Sequence, residues 1–181
     1  MSSLLFPRAG FLQFAITLGD PGANMRKATG LLQGLAPPRD TLLVLPELWA
    51  TGFDYARVGQ LAEQTPAVLR EMTGLAARHR VFLAGSLLEK EVGAAGQPLL
   101  FNTLYLLGPA GVAGVYRKQH LFSLWQEDRF LATGGCAGPI ATDHGLVAGL
   151  VCYDLRFPET ARRQAFAGAR LLMVSAQWPL V

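Results

Sequence analysis

The chain has 181 residues, of which 51% are hydrophobic and 16% charged, and its formal net charge is +3 at pH 7. This composition is typical of a globular domain, and the length suffices to bury a sizeable core. The basic residues are scattered singly, which argues against a nucleic-acid-binding surface, and no apolar run reaches the roughly 18 residues that span a bilayer. The only cysteines, Cys136 and Cys152, are too few for a disulfide framework. We therefore expect a cytoplasmic protein without nucleic-acid or membrane partners.

In the first half of the chain, buried strands alternate with helices. Apolar runs bounded by turn residues predict three strands, at residues 11–17, 41–45 and 81–87. Apolar residues at helical spacing predict two helices, at residues 25–35 and 65–80. Asn24 and Thr65 are the expected caps of these helices, and Pro66 occupies a first helical position.

In the second half, hairpins are mixed with a further strand–helix–strand unit. Apolar runs predict five strands, at residues 99–107, 112–117, 140–142, 146–151 and 171–175. Residues 89–98 are predicted to form an exposed loop, and Pro158 to open a helix that runs to about residue 169. The pattern indicates an α/β protein with a mixed sheet. Since the chain ends just after an apolar strand, we expect one domain, residues 1–181, that lacks its C-terminal part.

Glu47, Lys118 and Cys152 each follow one of these apolar strands directly. Open α/β sheets place their ligands at such strand ends. Taken singly, the three residues have ordinary explanations: a surface charge, a solvated hairpin end and a packed thiol. The position of Cys152 at the start of a turn into a helix nevertheless suits a nucleophile, because the first N–H groups and the positive dipole end of a helix favour a thiolate.

Three motifs surround these residues, and they occur in the order LPELWATGF at 45–53, YRKQHLF at 116–122 and GLVCYDLRFPE at 149–159. Together they resemble the motifs of the carbon–nitrogen hydrolase (nitrilase) superfamily. Asp20 followed by Asn24 also fits the N-terminal pattern of that family. The resemblance covers essentially the whole chain but only the N-terminal part of a typical member. It implies a four-layer α–β–β–α sandwich that assembles as a homodimer or higher homo-oligomer.

The resemblance also implies catalytic roles. Cys152 corresponds to the nucleophile that forms a thioester acyl-enzyme, and Glu47 to the general base that moves its proton. Lys118, together with the backbone N–H of Tyr153, corresponds to the group that stabilises the tetrahedral oxyanion. Partial burial is expected to raise the pKa of Glu47, which the nearby lysine opposes.

Two further residues resemble less sharply defined family positions. Glu127 resembles a second glutamate that positions the lysine or the substrate, although the neighbouring Asp128 leaves the register open. Trp178 resembles a segment that lines the substrate pocket, and Tyr153 is expected to contact the substrate as well. An ion pair between Asp154 and Arg156 is expected to shape the turn after the nucleophile.

The leading functional hypothesis is a cofactor-free amidase that acts on a small linear amide. The segment LPELWATGFDY at 45–55 resembles the ω-amidase-like branch of the family. Nitrile hydrolysis and N-carbamoyl amide hydrolysis remain open, because they use the same triad. A rival of a different class is a truncated, non-catalytic family member that serves as an interaction subunit. No pair of His, Cys, Asp or Glu residues has metal-ligand spacing, so we expect no metal.

Overall fold

The fold is that of a computed structural model, which describes residues 5–178. The strands are β1 (Arg8–Phe11), β2 (Thr41–Val44), β3 (Phe82–Val92), β4 (Pro98–Gly108), β5 (Gly111–Arg117), β6 (Ile140–Thr142), β7 (Gly145–Val151) and β8 (Leu171–Ser175). The α-helices are α1 (Pro21–Leu35), α2 (Val58–Ala62), α3 (Thr65–His79), α4 (Glu127–Phe130) and α5 (Pro158–Phe166). Short 3₁₀ helices lie at Tyr55–Arg57, Ser123–Trp125 and Cys152–Arg156.

The strands form a five-stranded sheet, in the order β1-β2-β3-β4-β5, and a three-stranded sheet, in the order β6-β7-β8. In the larger sheet, β1, β2 and β3 are parallel, whereas β3, β4 and β5 pair antiparallel. In the smaller sheet, β7 pairs antiparallel with β6 and parallel with β8. The mixed pairing that the sequence predicts is therefore present in both sheets.

The two sheets pack face to face, and helices cover their outer faces. Leu104 and Leu106 of the larger sheet meet Val147 and Met173 of the smaller sheet in a shared buried cluster. At Gly149 the sheets approach so closely that an added Cβ would lie 3.1 Å from the Cβ of Tyr116. The helices α1 and α3 bury their apolar sides against the opposite face of the larger sheet.

The fourth layer is α5, which packs against the smaller sheet. Gln164 of this helix donates a hydrogen bond to the Gly149 carbonyl oxygen of β7 at 3.0 Å. The order of layers is thus helix, sheet, sheet, helix, as the four-layer prediction requires. The prediction that residues 1–181 form a single domain lacking its C-terminal part stays a prediction.

The strand predicted at residues 11–17 is wrong in its position, since the observed β1 is Arg8–Phe11. The Leu12 N–H still donates to the Val44 carbonyl oxygen, at 2.9 Å, but β2 ends at Val44 and offers no partner further on. Thr17 instead exchanges hydrogen bonds with the side chain of Asn24, which accepts from its N–H and donates to its carbonyl, each at 2.7 Å. Side-chain bonding thus replaces the strand ladder here.

The predicted caps of α1 and α3 are also wrong. Asp20 caps α1 by accepting a hydrogen bond from the Ala23 N–H at 2.8 Å, and the helix begins at Pro21. Asn24 therefore lies within the first turn, where it is fully buried and also donates to the Ala50 carbonyl oxygen. Thr65 is the first residue of α3 rather than its cap, and its hydroxyl donates to the Leu88 carbonyl oxygen at 2.6 Å.

The exposed loop predicted at residues 89–98 is only half loop, since residues 89–92 and Pro98 are strand and residues 93–97 form the turn between them. β3 runs to Val92 and pairs with β4 down to Pro98. The charged residues of this segment are untypical of a strand. The Glu89 carboxylate, however, accepts hydrogen bonds from the Arg117 guanidinium of β5 at 2.6 and 2.8 Å. The cross-strand ion pair explains why a charged segment can extend a hairpin.

Candidate active site

Glu47 is held in a buried turn just beyond β2. The next residue, Leu48, has a φ of 43° and donates its N–H to the Ser86 hydroxyl at 2.8 Å. A left-handed backbone is unusual for leucine and indicates a turn that its surroundings enforce. The turn directs the Glu47 carboxylate inward, where the side chain is only 1% exposed.

Lys118 follows β5 directly, and its backbone remains tied to the sheet. Its N–H donates to the Asn102 carbonyl oxygen of β4 at 2.8 Å, and its carbonyl oxygen accepts from the Gly134 N–H at 2.8 Å. These bonds fix the backbone from which the long side chain reaches into the interior. The Lys118 side chain is 2% exposed.

Glu127 opens the single-turn helix α4, after Gln126 in the left-handed conformation. Its Oε2 accepts a hydrogen bond from the Phe122 N–H at 2.7 Å, which orients the carboxylate. Glu127 is buried and Asp128 is exposed. The register that the sequence left open is therefore resolved in favour of Glu127 as the inward-facing residue.

Cys152 lies where β7 gives way to the 3₁₀ helix Cys152–Arg156, with a φ of 42°. The turn is held by Asp154, whose carboxylate accepts from the Val151 N–H at 3.1 Å and the Tyr116 hydroxyl at 2.9 Å. The predicted ion pair with Arg156 is wrong: Asp154 contacts His120 Nδ1 at 2.8 Å instead. The exposed Arg156 guanidinium lies 5.6 Å from the centroid of the Trp178 ring.

The structure brings Glu47, Lys118 and Glu127 together in one charged cluster. The Lys118 ammonium donates to Glu47 Oε1 and to Glu127 Oε2, both at 2.7 Å. Glu47, which is 71 residues from Lys118 in sequence, thus meets Lys118 and the nearby Glu127 at one buried point. The cluster is almost entirely shielded from water, so its charges interact more strongly than charges on a surface would.

Burial and charge act in opposite directions on Glu47 and Lys118. Burial raises the pKa of Glu47, and the attraction of Lys118 only partly offsets it. Burial by itself lowers the pKa of Lys118, but the attraction of Glu47 and Glu127 outweighs it, so the pKa of Lys118 is raised. The ammonium therefore stays charged, and Glu47 is a stronger base than a glutamate in water.

The helix start at Cys152 favours a thiolate, but stronger effects at this position favour the protonated thiol. Burial, followed by the charge of Glu47 and a hydrogen bond with it, raises the pKa of the Cys152 thiol to about 12. The positive end of a short 3₁₀ helix does not overcome these effects. At neutral pH the sulfur carries its proton, and the neighbouring glutamate is the group that can remove it.

A cavity of about 160 Å³ opens onto this cluster. Its wall includes both residues predicted to contact the substrate, Tyr153 and Trp178. Further lining residues that the sequence reading missed are Phe53, Tyr55, Phe122, Trp125 and Gln177. These missed residues lie in segments far apart in the chain, so only the fold assembles them into an apolar wall. Such a wall favours a compact substrate with a single polar group directed at Cys152.

Within residues 5–178, no group of three or more His, Cys, Asp or Glu side chains is arranged to hold a metal ion. Across the same part of the chain, none of the helices combines the length and apolar character needed to cross a membrane.

Comparison with known proteins identifies the family. The model of the carbon–nitrogen hydrolase family matches residues 8–181, so the chain belongs to this family. A 2-oxoglutaramate amidase of Bacillus subtilis is 37% identical over 172 residues, which are 93% of this chain and 64% of that protein. An omega-amidase of Escherichia coli is 32% identical over 170 residues, which are 93% of this chain and 62% of that protein.

Solved structures agree with the family and the fold. The crystal structure of a carbon–nitrogen hydrolase from Helicobacter pylori aligns with a TM-score of 0.85 and 29% identity, over 99% of this chain and 62% of that one. A glutamate-to-glutamine mutant of an amidase from Nesterenkonia, with acrylamide added to its active-site cysteine, aligns with a TM-score of 0.75 and 25% identity, over 92% of this chain and 65% of that one. The chain thus spans 62–65% of the length of these four proteins.

Proposed function

We propose that the protein is an amidase that hydrolyses a small linear amide through a thioester on Cys152. The observation that carries the proposal is the buried cluster of Glu47, Lys118 and Glu127 at the cavity that Cys152 lines. Buried charges lower stability unless they are well paired, so a protein that retains three of them beside a thiol is expected to use them chemically.

In the acylation half of the reaction, Glu47 removes the proton from the Cys152 thiol as the sulfur attacks the amide carbonyl carbon. The carbonyl π electrons move to oxygen, and the resulting oxyanion accepts hydrogen bonds from the Lys118 ammonium and the Tyr153 backbone N–H. Glu47 then delivers its proton to the amide nitrogen, and the C–N bond breaks. Ammonia or an amine leaves, and the acyl group remains on sulfur as a thioester.

In the deacylation half, water occupies the place of the departed nitrogen. Glu47 takes a proton from this water as its oxygen attacks the thioester carbonyl carbon, and the same two donors stabilise the second oxyanion. The C–S bond then breaks, the sulfur regains the proton from Glu47, and a carboxylic acid is released. Glu127 keeps Lys118 charged and oriented throughout and does not itself exchange protons with the substrate.

The class of substrate is proposed from the cavity and from two relatives. The volume of about 160 Å³ suits a small molecule, and the aromatic lining suits an unbranched chain. The similar proteins named 2-oxoglutaramate amidase and omega-amidase favour an amide at the end of such a chain. The acrylamide adduct of the Nesterenkonia amidase mutant lies on its active-site cysteine, which supports a reactive thiol at the equivalent place here.

We further propose that the protein is cytoplasmic, and that it assembles as a homo-oligomer, as the family resemblance of the sequence implies.

The experiment that tests this function measures ammonia release from a panel of small amides, N-carbamoyl amines and nitriles. We expect the highest kcat/KM with a terminal amide of a short linear acid. A preference for nitriles or N-carbamoyl compounds would retain the mechanism and replace the substrate class. A folded protein that releases ammonia from none of the compounds would favour the non-catalytic interaction subunit.

A further inference from the structure

The cluster contains one uncharged polar residue that none of the roles above includes. Asn102 lies in the middle of β4, where it and the adjacent Thr103 are fully buried polar residues on a mostly apolar strand. It is fully buried and does not line the cavity. A substrate in the cavity is therefore not expected to touch it.

The amide nitrogen of Asn102 bridges the two carboxylates. Its Nδ2 donates to Glu47 Oε1 at 2.9 Å and to Glu127 Oε1 at 3.1 Å. An amide group has two N–H bonds, and both are used here. The reverse orientation would direct the amide oxygen at two carboxylate oxygens, so the carboxylates themselves fix which way the amide points.

The side-chain oxygen of Asn102, unlike its nitrogen, makes no hydrogen bond that would explain the residue. Asn102 Oδ1 is buried and has no hydrogen-bond partner among residues 5–178. A buried acceptor without a partner lowers the stability of a protein. Packing alone would be better served by an apolar residue such as leucine, whose side chain has the same number and branching of heavy atoms and no polar atoms. The presence of asparagine at this position is therefore explained by the two hydrogen bonds that its N–H groups donate to the Glu47 and Glu127 carboxylates.

The hydrogen bonds at Glu47 distinguish its two oxygens. Oε1 accepts from both the Lys118 ammonium and the Asn102 amide, which occupies both of its in-plane lone pairs. We propose that Asn102 is a positioning residue that fixes the Glu47 and Glu127 carboxylates relative to each other and leaves Oε2 of Glu47 as the oxygen that exchanges a proton with Cys152. This inference deepens the proposed function and rests on it for the identity of the proton donor.

Loss of the amide should change how readily Glu47 takes up a proton. The groups that act on this carboxylate are Lys118 after β5, Glu127 of α4 and Cys152 after β7, while the neutral Tyr55 of the first 3₁₀ helix also faces it. Asn102 adds a donor that stabilises the charged form without adding charge. Without it, the pKa of Glu47 rises further, because a hydrogen bond to the charged form favours that form.

The test is the variant Asn102→Leu, compared with wild type by carbon-13 NMR of the glutamate side-chain carboxyls. The Glu47 resonance is assigned by its absence from Glu47→Gln. We expect its titration midpoint to rise by about one pH unit, and the acid limb of kcat/KM to move with it, so that activity on that limb falls about tenfold. KM at the pH optimum should change less than twofold, since Asn102 is outside the cavity.

The matched control is Thr103→Val, which removes a hydrogen-bonding side chain from the adjacent position of β4. Thr103 is also fully buried, but its hydroxyl donates to Glu89 and not to the cluster. The control should keep the wild-type Glu47 midpoint and pH profile. A folded Asn102→Leu variant with the wild-type midpoint would overturn the inference, because a purely structural asparagine would lower stability without moving it.

A second measurement needs no variant. In wild type, both side-chain N–H protons of Asn102 should shift with pH at the midpoint of Glu47, and independence of the two titrations would also overturn the inference. Neither NMR measurement depends on turnover. If wild type hydrolyses no amide, the proposed function fails, while the titrations still decide whether Asn102 controls Glu47.

Discussion

Replacing Cys152 with alanine will abolish ammonia release, with kcat/KM for the best amide reduced at least about 10⁴-fold. In the proposed mechanism this sulfur forms the bond to the acyl group, and alanine offers no atom that can form the thioester. Cys152 is the only cysteine among the residues that line the cavity. Glu47 and Lys118 alone could still polarise an amide and a water molecule, which sets the small residual rate.

The control for this loss is Cys136→Ala. Cys136 is exposed and lies outside the cavity, so its replacement should leave kcat/KM unchanged. Both variants should melt near the wild-type temperature, which separates loss of the nucleophile from loss of the fold. A Cys152→Ala variant that retained a tenth of the wild-type activity would rule out the thioester route.

Replacing Lys118 with methionine will reduce both stability and activity. The change leaves Glu47 and Glu127 buried without their common cation, and breaking a buried ion pair from one side lowers the free energy of unfolding by about 3–5 kcal/mol. Loss of an oxyanion donor should at the same time lower kcat at least about 100-fold. Urea unfolding and ammonia release measure the two effects separately.

The stability of Lys118→Met should depend on pH in a defined direction. Without the ammonium, the pKa of folded Glu47 lies further above the value of about 4.3 expected in the unfolded chain. A group with a raised folded pKa binds more protons in the folded state, so it stabilises the fold at low pH and loses that contribution as pH rises through the folded pKa. The variant should therefore lose less stability at pH 5 than at pH 8.

Lys90→Met is the matched control for this substitution. Lys90 pairs with Glu63 at 2.9 Å, but the two side chains are 38% and 63% exposed. Exposed pairs contribute little, so the unfolding free energy should stay within about 1 kcal/mol of wild type. If Lys118→Met lowered the free energy of unfolding no more than this control does at every pH, the buried charge cluster would not contribute to stability as proposed.

Sequence patterns predict the strands of this fold well where apolar runs are bounded by turn residues. The segment 171–175 matches β8, and 99–107 differs from β4 by one residue at each end. Sequence patterns fail where side chains take over backbone hydrogen bonds. The hydrogen bonds between Asn24 and Thr17 replace the strand pairing that the apolar run at residues 11–17 predicts. Sequence patterns also fail where an ion pair lets charged residues extend a strand.

The candidate site, like the fold, can be predicted only in part from the sequence. Motif resemblance identifies Glu47, Lys118 and Cys152, and the structure brings them to one cavity. The general base beside Cys152 follows from the motif resemblance, but the raised pKa of the thiol does not, because the sequence shows a helix start and not the burial that outweighs it. Sequence reasoning does not find Asn102, because polar residues in a mostly apolar strand, such as Asn102 and Thr103, have no distinctive spacing.

The proposed mechanism requires Cys152 to carry the acyl group during turnover. It is tested most directly by mixing enzyme with the preferred amide, quenching in acid within milliseconds, and measuring the mass of the peptide that contains Cys152. We expect a mass increase equal to the substrate minus ammonia, confined to that peptide and absent from Cys152→Ala. Ammonia release at the full rate with an unmodified Cys152 peptide, or an adduct on any other residue, would contradict it.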